Sequence, residues 1–203
     1  AEDEHKYMAR YLGFKGYHSE INVLDELMTT RVTSHIGIKD VAEKINQDAV
    51  KRAVNLANDT LLRAGNMRPR IAVAALNPHA GDNGKFGREE IDILEPAINS
   101  FQELQMNVSG PWPSDTVFLK AQRGEVDAVV TMYHDQGQIA IKLMGFERGV
   151  TVAGGLPIPI ATPAHGTAFD IAGQNKANVG ATKQAFDLLV RMANTNHAKS
   201  KAF

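Results

Sequence analysis

Cysteine is missing from this sequence. Disulfides, a thiolate nucleophile and a thiolate zinc centre are excluded, so any bound metal must use His, Asp, Glu or water. Charge of one sign is not in excess either: 22 Lys and Arg stand against 23 Asp and Glu, a net charge of −1. Nucleic acid and anionic membranes are therefore not indicated as partners. No apolar run is long enough to cross a bilayer, and Ala1-Glu2-Asp3-Glu4-His5 is too charged to begin a signal peptide. A soluble cytoplasmic protein is the expectation. No Gly-x-Gly-x-x-Gly follows a strand and no Lys-Ser pair ends a glycine-rich loop, so neither a Rossmann site nor a P-loop is indicated. Internal repeats and low-complexity linkers are also lacking. What is present is 203 residues, 43% of them hydrophobic, enough for one sizeable core or for two smaller lobes sharing a sheet.

Apolar periodicity predicts a helix over 40–62, where Val41, Ile45, Ala49, Ala53, Leu56 and Thr60 recur at three- and four-residue steps behind Asp40 as cap. Further helices are predicted over 89–104, acidic at its start, and over 182–193. Arg70 to Leu76 and Val126 to Met132 are short apolar runs of the kind buried on both faces of a parallel sheet, and Thr29 to Thr33 is a weaker strand. The Gly- and Pro-rich stretch 149–160 reads as extended with a bend, and 194–203 as a frayed tail. Strands alternating with helices argue an α/β fold with a largely parallel sheet, in which ligands bind beyond the carboxyl ends of the strands.

Three histidines fall on segments of that kind: Thr33-Ser34-His35, Asn77-Pro78-His79-Ala80-Gly81 and Tyr133-His134-Asp135-Gln136-Gly137. Each follows a predicted strand and sits in turn-like rather than periodic sequence. Singly, each reads as a loop histidine satisfied by local hydrogen bonds. Together they read as a catalytic metal site with three protein ligands and an open position, and a His₃ set suits Zn, Co, Mn or Ni. Asp135, beside His134, is an orienter or a ligand itself. The glycine-rich loop from Asn77 to Gly87 is either a flexible connection or backbone brought close to a ligand. Gly110-Pro111-Trp112-Pro113-Ser114-Asp115-Thr116-Val117-Phe118 reads as a rigid turn presenting Asp115, or as a capping Asp before a short helix. The string from Ala164 to Gly173 is dense in small residues that let backbone approach a flat ligand. Within it His165 is a stacking or hydrogen-bonding group and Asp170 an acceptor for a ribose or adenine edge. Lys142 and Arg148 are candidate contacts for an anionic substrate, or solvated surface charges.

Taken in order, these strings resemble the 4-hydroxythreonine-4-phosphate dehydrogenase family of pyridoxal phosphate biosynthesis and its paralogues acting on related phosphorylated hydroxy acids. The resemblance runs over about residues 1–194. His165-Gly166-Thr167-Ala168-Phe169-Asp170-Ile171-Ala172-Gly173 is also similar to a string in the isocitrate and isopropylmalate dehydrogenases, which bind NAD near adenosine without a Rossmann fold. The resemblance implies an isocitrate/isopropylmalate dehydrogenase-like two-lobed α/β/α fold with mixed, largely parallel sheets. Residues 1–140 would be the central substrate, metal and dimerisation lobe, and 141–203 the C-terminal part of the NAD-binding lobe. It implies NAD or NADP and a divalent metal (Zn, Co, Mn, Ni or Mg) as cofactors. His35, His79 and His134 would be the metal ligands in a homodimer that shares the site, one histidine coming from the second subunit. Lys142 matches the family's substrate-binding lysine, Asp135 and Asp115 are candidate proton handlers, and His165, Gly166, Thr167 and Asp170 fall in the cofactor segment. The implied chemistry is hydride transfer from a secondary alcohol of a substrate such as 4-hydroxythreonine-4-phosphate or 4-phosphothreonate or erythronate, followed by loss of carbon dioxide from the β-keto acid.

The chain departs from the family in three places. Thr151 stands where the family has Asn, and Ile160 where it has a substrate-contacting Arg, which points to a changed acid specificity. Asp3-Glu4-His5-Lys6 lies roughly where the family has Gly-His-Thr-Glu, with His5 as a candidate phosphate contact. Family members carry on the order of a hundred more residues before the position of Ala1, a domain's worth. The chain is therefore expected to be a fragment whose nucleotide lobe lacks its first strands and leaves a sheet edge exposed. The alternatives are a cis-dihydrodiol carboxylate dehydrogenase on the same scaffold and an inactive metal-binding dimeric fragment.

Overall fold

The strand predicted from Arg70 to Leu76 forms as β3 (Arg70–Ala74), with all but its first residue buried. In this computed structural model, which describes residues 4–200, β3 lies inside a seven-stranded mixed sheet. The other strands are β1 (Ser19–Leu24), β2 (Leu27–Arg31), β4 (Asn107–Trp112), β5 (Ala128–Thr131), β6 (Val150–Gly154) and β7 (Ala161–Pro163). Their order is β4-β3-β5-β2-β1-β6-β7. The first four in that order run parallel, and β1, β6 and β7 are each antiparallel to their neighbours. β6 and β7 therefore extend the same sheet that the strands before residue 140 build. The helices are α1 (Glu4–Tyr11), α2 (Val41–Lys44), α3 (Gln47–Arg63), α4 (Glu95–Glu103), α5 (Val117–Gln122), α6 (His134–Gly145) and α7 (Gly180–Ser200).

Local chemistry explains where these elements differ from the predicted ones. The helix expected over 40–62 is broken at Ile45 and Asn46, because the Asn46 side chain accepts a hydrogen bond from Ala49 N at 2.9 Å and restarts the helix as its cap. The helix expected over 89–104 opens with a π-helical turn over Glu90–Leu94 before α4. Gly110 and Pro111 belong to β4 and not to a turn; the register of β4 on β3 shifts between Ala72 and Ala74, where Gly110 takes a φ of 133°. The segment read as a frayed tail continues α7 to Ser200. Asp3 and residues 201–203 lie outside the described residues.

Alternation along the strands sorts the two faces of the sheet. Ile21 and Val23 of β1, Ile71 and Val73 of β3, Val130 of β5 and Val152 of β6 join one apolar core with Val50, Val54 and Leu61 of α3 and Leu188 and Met192 of α7. Complete burial of each such side chain stabilises by about 1.5–3 kcal/mol. The opposite face carries Ala72, Ala74 and Val129, covered by Val117 and Phe118 of α5 and Ile141 of α6. Beside that smaller core the same face turns polar, with Asn22, Thr29, Arg31 and Thr131 all buried. α6 rests on this polar strip. A Cβ on Gly137 would sit 3.1 Å from Thr29 Oγ1 and 3.3 Å from Thr131 Oγ1, so glycine permits the close approach.

Candidate active site

His134 is the first residue of α6, directly beyond β5, so it begins a helix where the sequence suggested a turn. Gln136 anchors that end of the helix. Its Oε1 accepts from Met132 N at 2.8 Å and its Nε2 donates to Ala75 O at 2.9 Å, tying α6 to the ends of β5 and β3. His35 arrives from β2. Thr33 N and Oγ1 both donate to Met132 O, at 3.0 and 2.8 Å, and hold this segment against β5. His35 itself turns through a left-handed φ of 49°. The His35 and His134 rings end with centroids 5.7 Å apart. Two imidazoles each bound through nitrogen at about 2.0 Å to one tetrahedral metal would have centroids roughly 5 Å apart. The observed separation is slightly larger than that spacing. Asp135 Oδ1 lies 2.7 Å from His134 Nδ1, which suits a donating Nδ1–H and leaves Nε2 bare for a metal.

Both histidines line a cavity of about 220 Å³ whose walls include Glu20, Asn22, Gln138, Lys142 and Thr151. Its floor is a connected polar network. Arg31, 3% exposed, donates from Nε to Ser34 Oγ at 3.0 Å, from Nη1 to Asn22 Oδ1 at 2.9 Å and from Nη2 to Glu20 Oε2. Asn22 Oδ1 also accepts from Gln138 Nε2 at 2.6 Å, and Asn22 Nδ2 donates to Glu20 Oε1 at 3.0 Å and to Thr151 Oγ1 at 3.4 Å. Burial alone would push the Glu20 carboxyl up, but the Arg31 charge and the hydrogen bonds from Asn22 and Arg31 outweigh it and hold the group below its usual range.

His79 lies elsewhere in the chain. It is exposed, has a φ of 52° and packs beside Phe86 with centroids 6.2 Å apart. The loop that carries it is tied down at its start. Glu90, 1% exposed, accepts from Leu76 N at 2.9 Å, Asn77 N at 2.7 Å and Asn77 Nδ2 at 2.9 Å. Among the described residues no group of three His, Asp or Glu side chains is placed to hold a metal within this chain. The structure brings together two of the three predicted ligands.

A family model described as pyridoxal phosphate biosynthetic protein PdxA matches residues 1–189. The chain belongs to the PdxA family. Among curated relatives, a Pseudomonas aeruginosa protein under the provisional name 4-hydroxythreonine-4-phosphate dehydrogenase 2 is 61% identical over 193 residues, covering 94% of this chain and 57% of the relative. D-threonate 4-phosphate dehydrogenase of Pectobacterium atrosepticum is 43% identical over 169 residues, covering 83% of this chain and 52% of the relative. The crystal structure of 4-hydroxythreonine-4-phosphate dehydrogenase from Klebsiella pneumoniae superposes with a TM-score of 0.77 at 39% identity, over 94% of this chain and 56% of that one. A terephthalate 1,2-cis-dihydrodiol dehydrogenase from Burkholderia xenovorans gives a TM-score of 0.76 at 30% identity, over 94% of this chain and 61% of that one. Isocitrate dehydrogenase from Methylococcus capsulatus shares the fold alone, with a TM-score of 0.53 at 20% identity, over 76% of this chain and 45% of that one. The chain spans a little over half the length of the curated relatives it matches.

Other residues singled out in this PdxA-family sequence are more scattered. Lys142 and Thr151 line the cavity; Asp115 is exposed ahead of α5 and does not. His5, on α1, lies in the neighbourhood of Glu20 but does not line the cavity. Ile160 packs against the small core of Ala9, Ala153 and Leu156. His165, Gly166, Thr167 and Asp170 are exposed, and the first two border a separate open cavity of about 370 Å³ with Ala168, Ile171 and Asn178. Glu20, Asn22, Arg31, Gln138 and Glu90 did not stand out as site residues from sequence. The first two had a visible signal: polar residues at alternate positions within the apolar run of β1.

Proposed function

We propose that this chain carries the metal and substrate part of an NAD(P)-dependent dehydrogenase that oxidises a small phosphorylated hydroxy acid, with loss of carbon dioxide from the resulting β-keto acid. The single observation that supports it best is the His35–His134 pair opening into one cavity with Lys142 and Thr151. His35 and His134 would hold a divalent metal, and His79 from a second copy of the chain would complete the set, which makes the active enzyme a homodimer. A metal bound there supplies a Lewis acid for the alcohol oxygen, and NAD or NADP supplies the hydride acceptor. The chain's own groups bind and orient. Asp135 keeps His134 in one tautomer. Lys142 places a cation for the phosphate or carboxylate of the substrate. Asn22 Nδ2 reaches the Thr151 hydroxyl from the neighbouring strand at 3.4 Å. Gly166 and its small neighbours give the nucleotide close access to backbone.

The test is turnover of 4-hydroxythreonine-4-phosphate and of 4-phosphothreonate with NAD or NADP, with and without chelator. Metal-dependent reduction of the nicotinamide with either compound supports the reading. A chain that takes up metal and dimerises but leaves NAD and NADP unbound would be the inactive fragment instead. A second reading, a cis-dihydrodiol carboxylate dehydrogenase, is favoured by Thr151 and by Ile160, an apolar residue where a cationic substrate contact was expected. It is separated by the phosphate: only the first activity requires it.

A further inference from the structure

The acidic side of the His35–His134 cavity takes no part in the metal and anion contacts described above. There Glu20 stands in front and Arg31 behind, with side chains 22% and 3% exposed. Arg31 is locked in place, since Ser34, Asn22 and Glu20 engage its three nitrogens. One Glu20 oxygen accepts from Arg31 and the other from Asn22. A carboxylate has about four acceptor sites, so capacity remains on the side where Glu20 lines the cavity. The ion pair is neutral as a whole, yet its negative end points to the cavity and its positive end is buried. Lys142 lines the same cavity. The space is therefore bipolar, cationic at Lys142 and anionic at Glu20, and it suits a ligand that is itself zwitterionic.

We propose that Glu20 is a specificity-determining residue, accepting a hydrogen bond from the substituent next to the reacting alcohol and favouring a protonated amine there over a hydroxyl. This rests on the reading of the cavity as the substrate site. The two substrates named for the relatives differ at that atom: 4-hydroxythreonine 4-phosphate carries an ammonium beside its carboxylate, and threonate 4-phosphate carries a hydroxyl. A hydrogen bond between two charged partners exceeds one to a neutral donor by a margin worth about tenfold in binding.

The experiment compares kcat/KM for the two compounds, with NAD or NADP and Mn²⁺, in the wild-type chain, in E20Q and in E20M/R31M. The double variant removes the carboxylate without leaving Arg31 unpaired, and circular dichroism melts show that each variant is folded. Wild type is expected to prefer the amine, and both variants to lose about tenfold of that preference relative to the hydroxy acid. Equal losses on both compounds, or a greater loss on the hydroxy acid, would overturn the assignment. If wild type turns over neither compound, the proposed activity fails. Calorimetric binding of the two compounds to wild type and E20Q then decides this inference separately: a preference for the amine that E20Q removes sustains it, and no preference overturns it.

Discussion

Replacing Arg31 by Met is the sharpest probe of the polar strip beneath α6. The guanidinium is 3% exposed and makes three hydrogen bonds, two of them at 2.9 and 3.0 Å to Asn22 and Ser34 and the third to Glu20. Methionine retains most of the stem but none of the donors. Breaking a buried ion pair by removing one partner costs about 3–5 kcal/mol, because the other charge is left without compensation. Glu20 keeps its bond from Asn22 and reaches the cavity with 22% of its side chain exposed, so the low end, about 3 kcal/mol, applies here. Urea unfolding at pH 7, followed by far-UV circular dichroism and extrapolated to water, gives the quantity directly. The companion variant E20M/R31M removes both charges and is expected to recover most of the loss, since apolar replacement of a whole buried pair is often neutral. A loss below about 1 kcal/mol for R31M, or a double variant less stable than R31M, would refute the reasoning that this pair is buried and mutually dependent.

Three further outcomes are expected. Asp135→Asn weakens divalent metal binding by about 10–100-fold while unfolding stability changes little, measured by competition with a metallochromic chelator. Gly87→Ala destabilises by about 1–3 kcal/mol in the same urea assay, because Gly87 has a φ of 140° and its added Cβ would overlap the Asn77 carboxamide and the Glu89 carboxyl. The Glu20 carboxyl is held below its unfolded range, so the stability it contributes is present above about pH 4.3 and is lost as pH falls through the folded value. Unfolding titrations of wild type and E20Q should therefore differ by a constant amount from pH 8 to about pH 5 and converge in more acidic solution.

The parallel half of the sheet was legible because β3 and β5 are continuous apolar runs, and such runs record burial on both faces. β1 was not read as a strand, since Glu20 and Asn22 interrupt its apolar residues; that same alternation is what marks the polar strip. The break before α3 was hidden by Val41 and Ile45, which keep helical spacing and are buried although Asn46 ends the run. In the string Tyr133 to Gly137, the histidine and aspartate were recognised as chemistry. The anchoring role of Gln136 and the clearance that Gly137 gives over Thr29 and Thr131 depend on strands far away in sequence. The position of His79 could not be read from its motif at all. Its neighbours in space follow from how the Glu90 carboxyl gathers Leu76 and Asn77, a contact across a loop.

The central claim is that His35 and His134 of one chain meet His79 of another around a single divalent cation. Mixing two inactive variants tests it most directly: H79A alone, and H35A/H134A alone, then both refolded together, with bound Zn²⁺ counted by equilibrium dialysis and elemental analysis. Neither variant alone should retain tightly bound metal. The mixture should regain close to one ion per mixed dimer, since one of its two sites then has all three imidazoles. Failure of the mixture to regain metal, while the wild-type chain binds it stoichiometrically, would contradict a site shared between two copies.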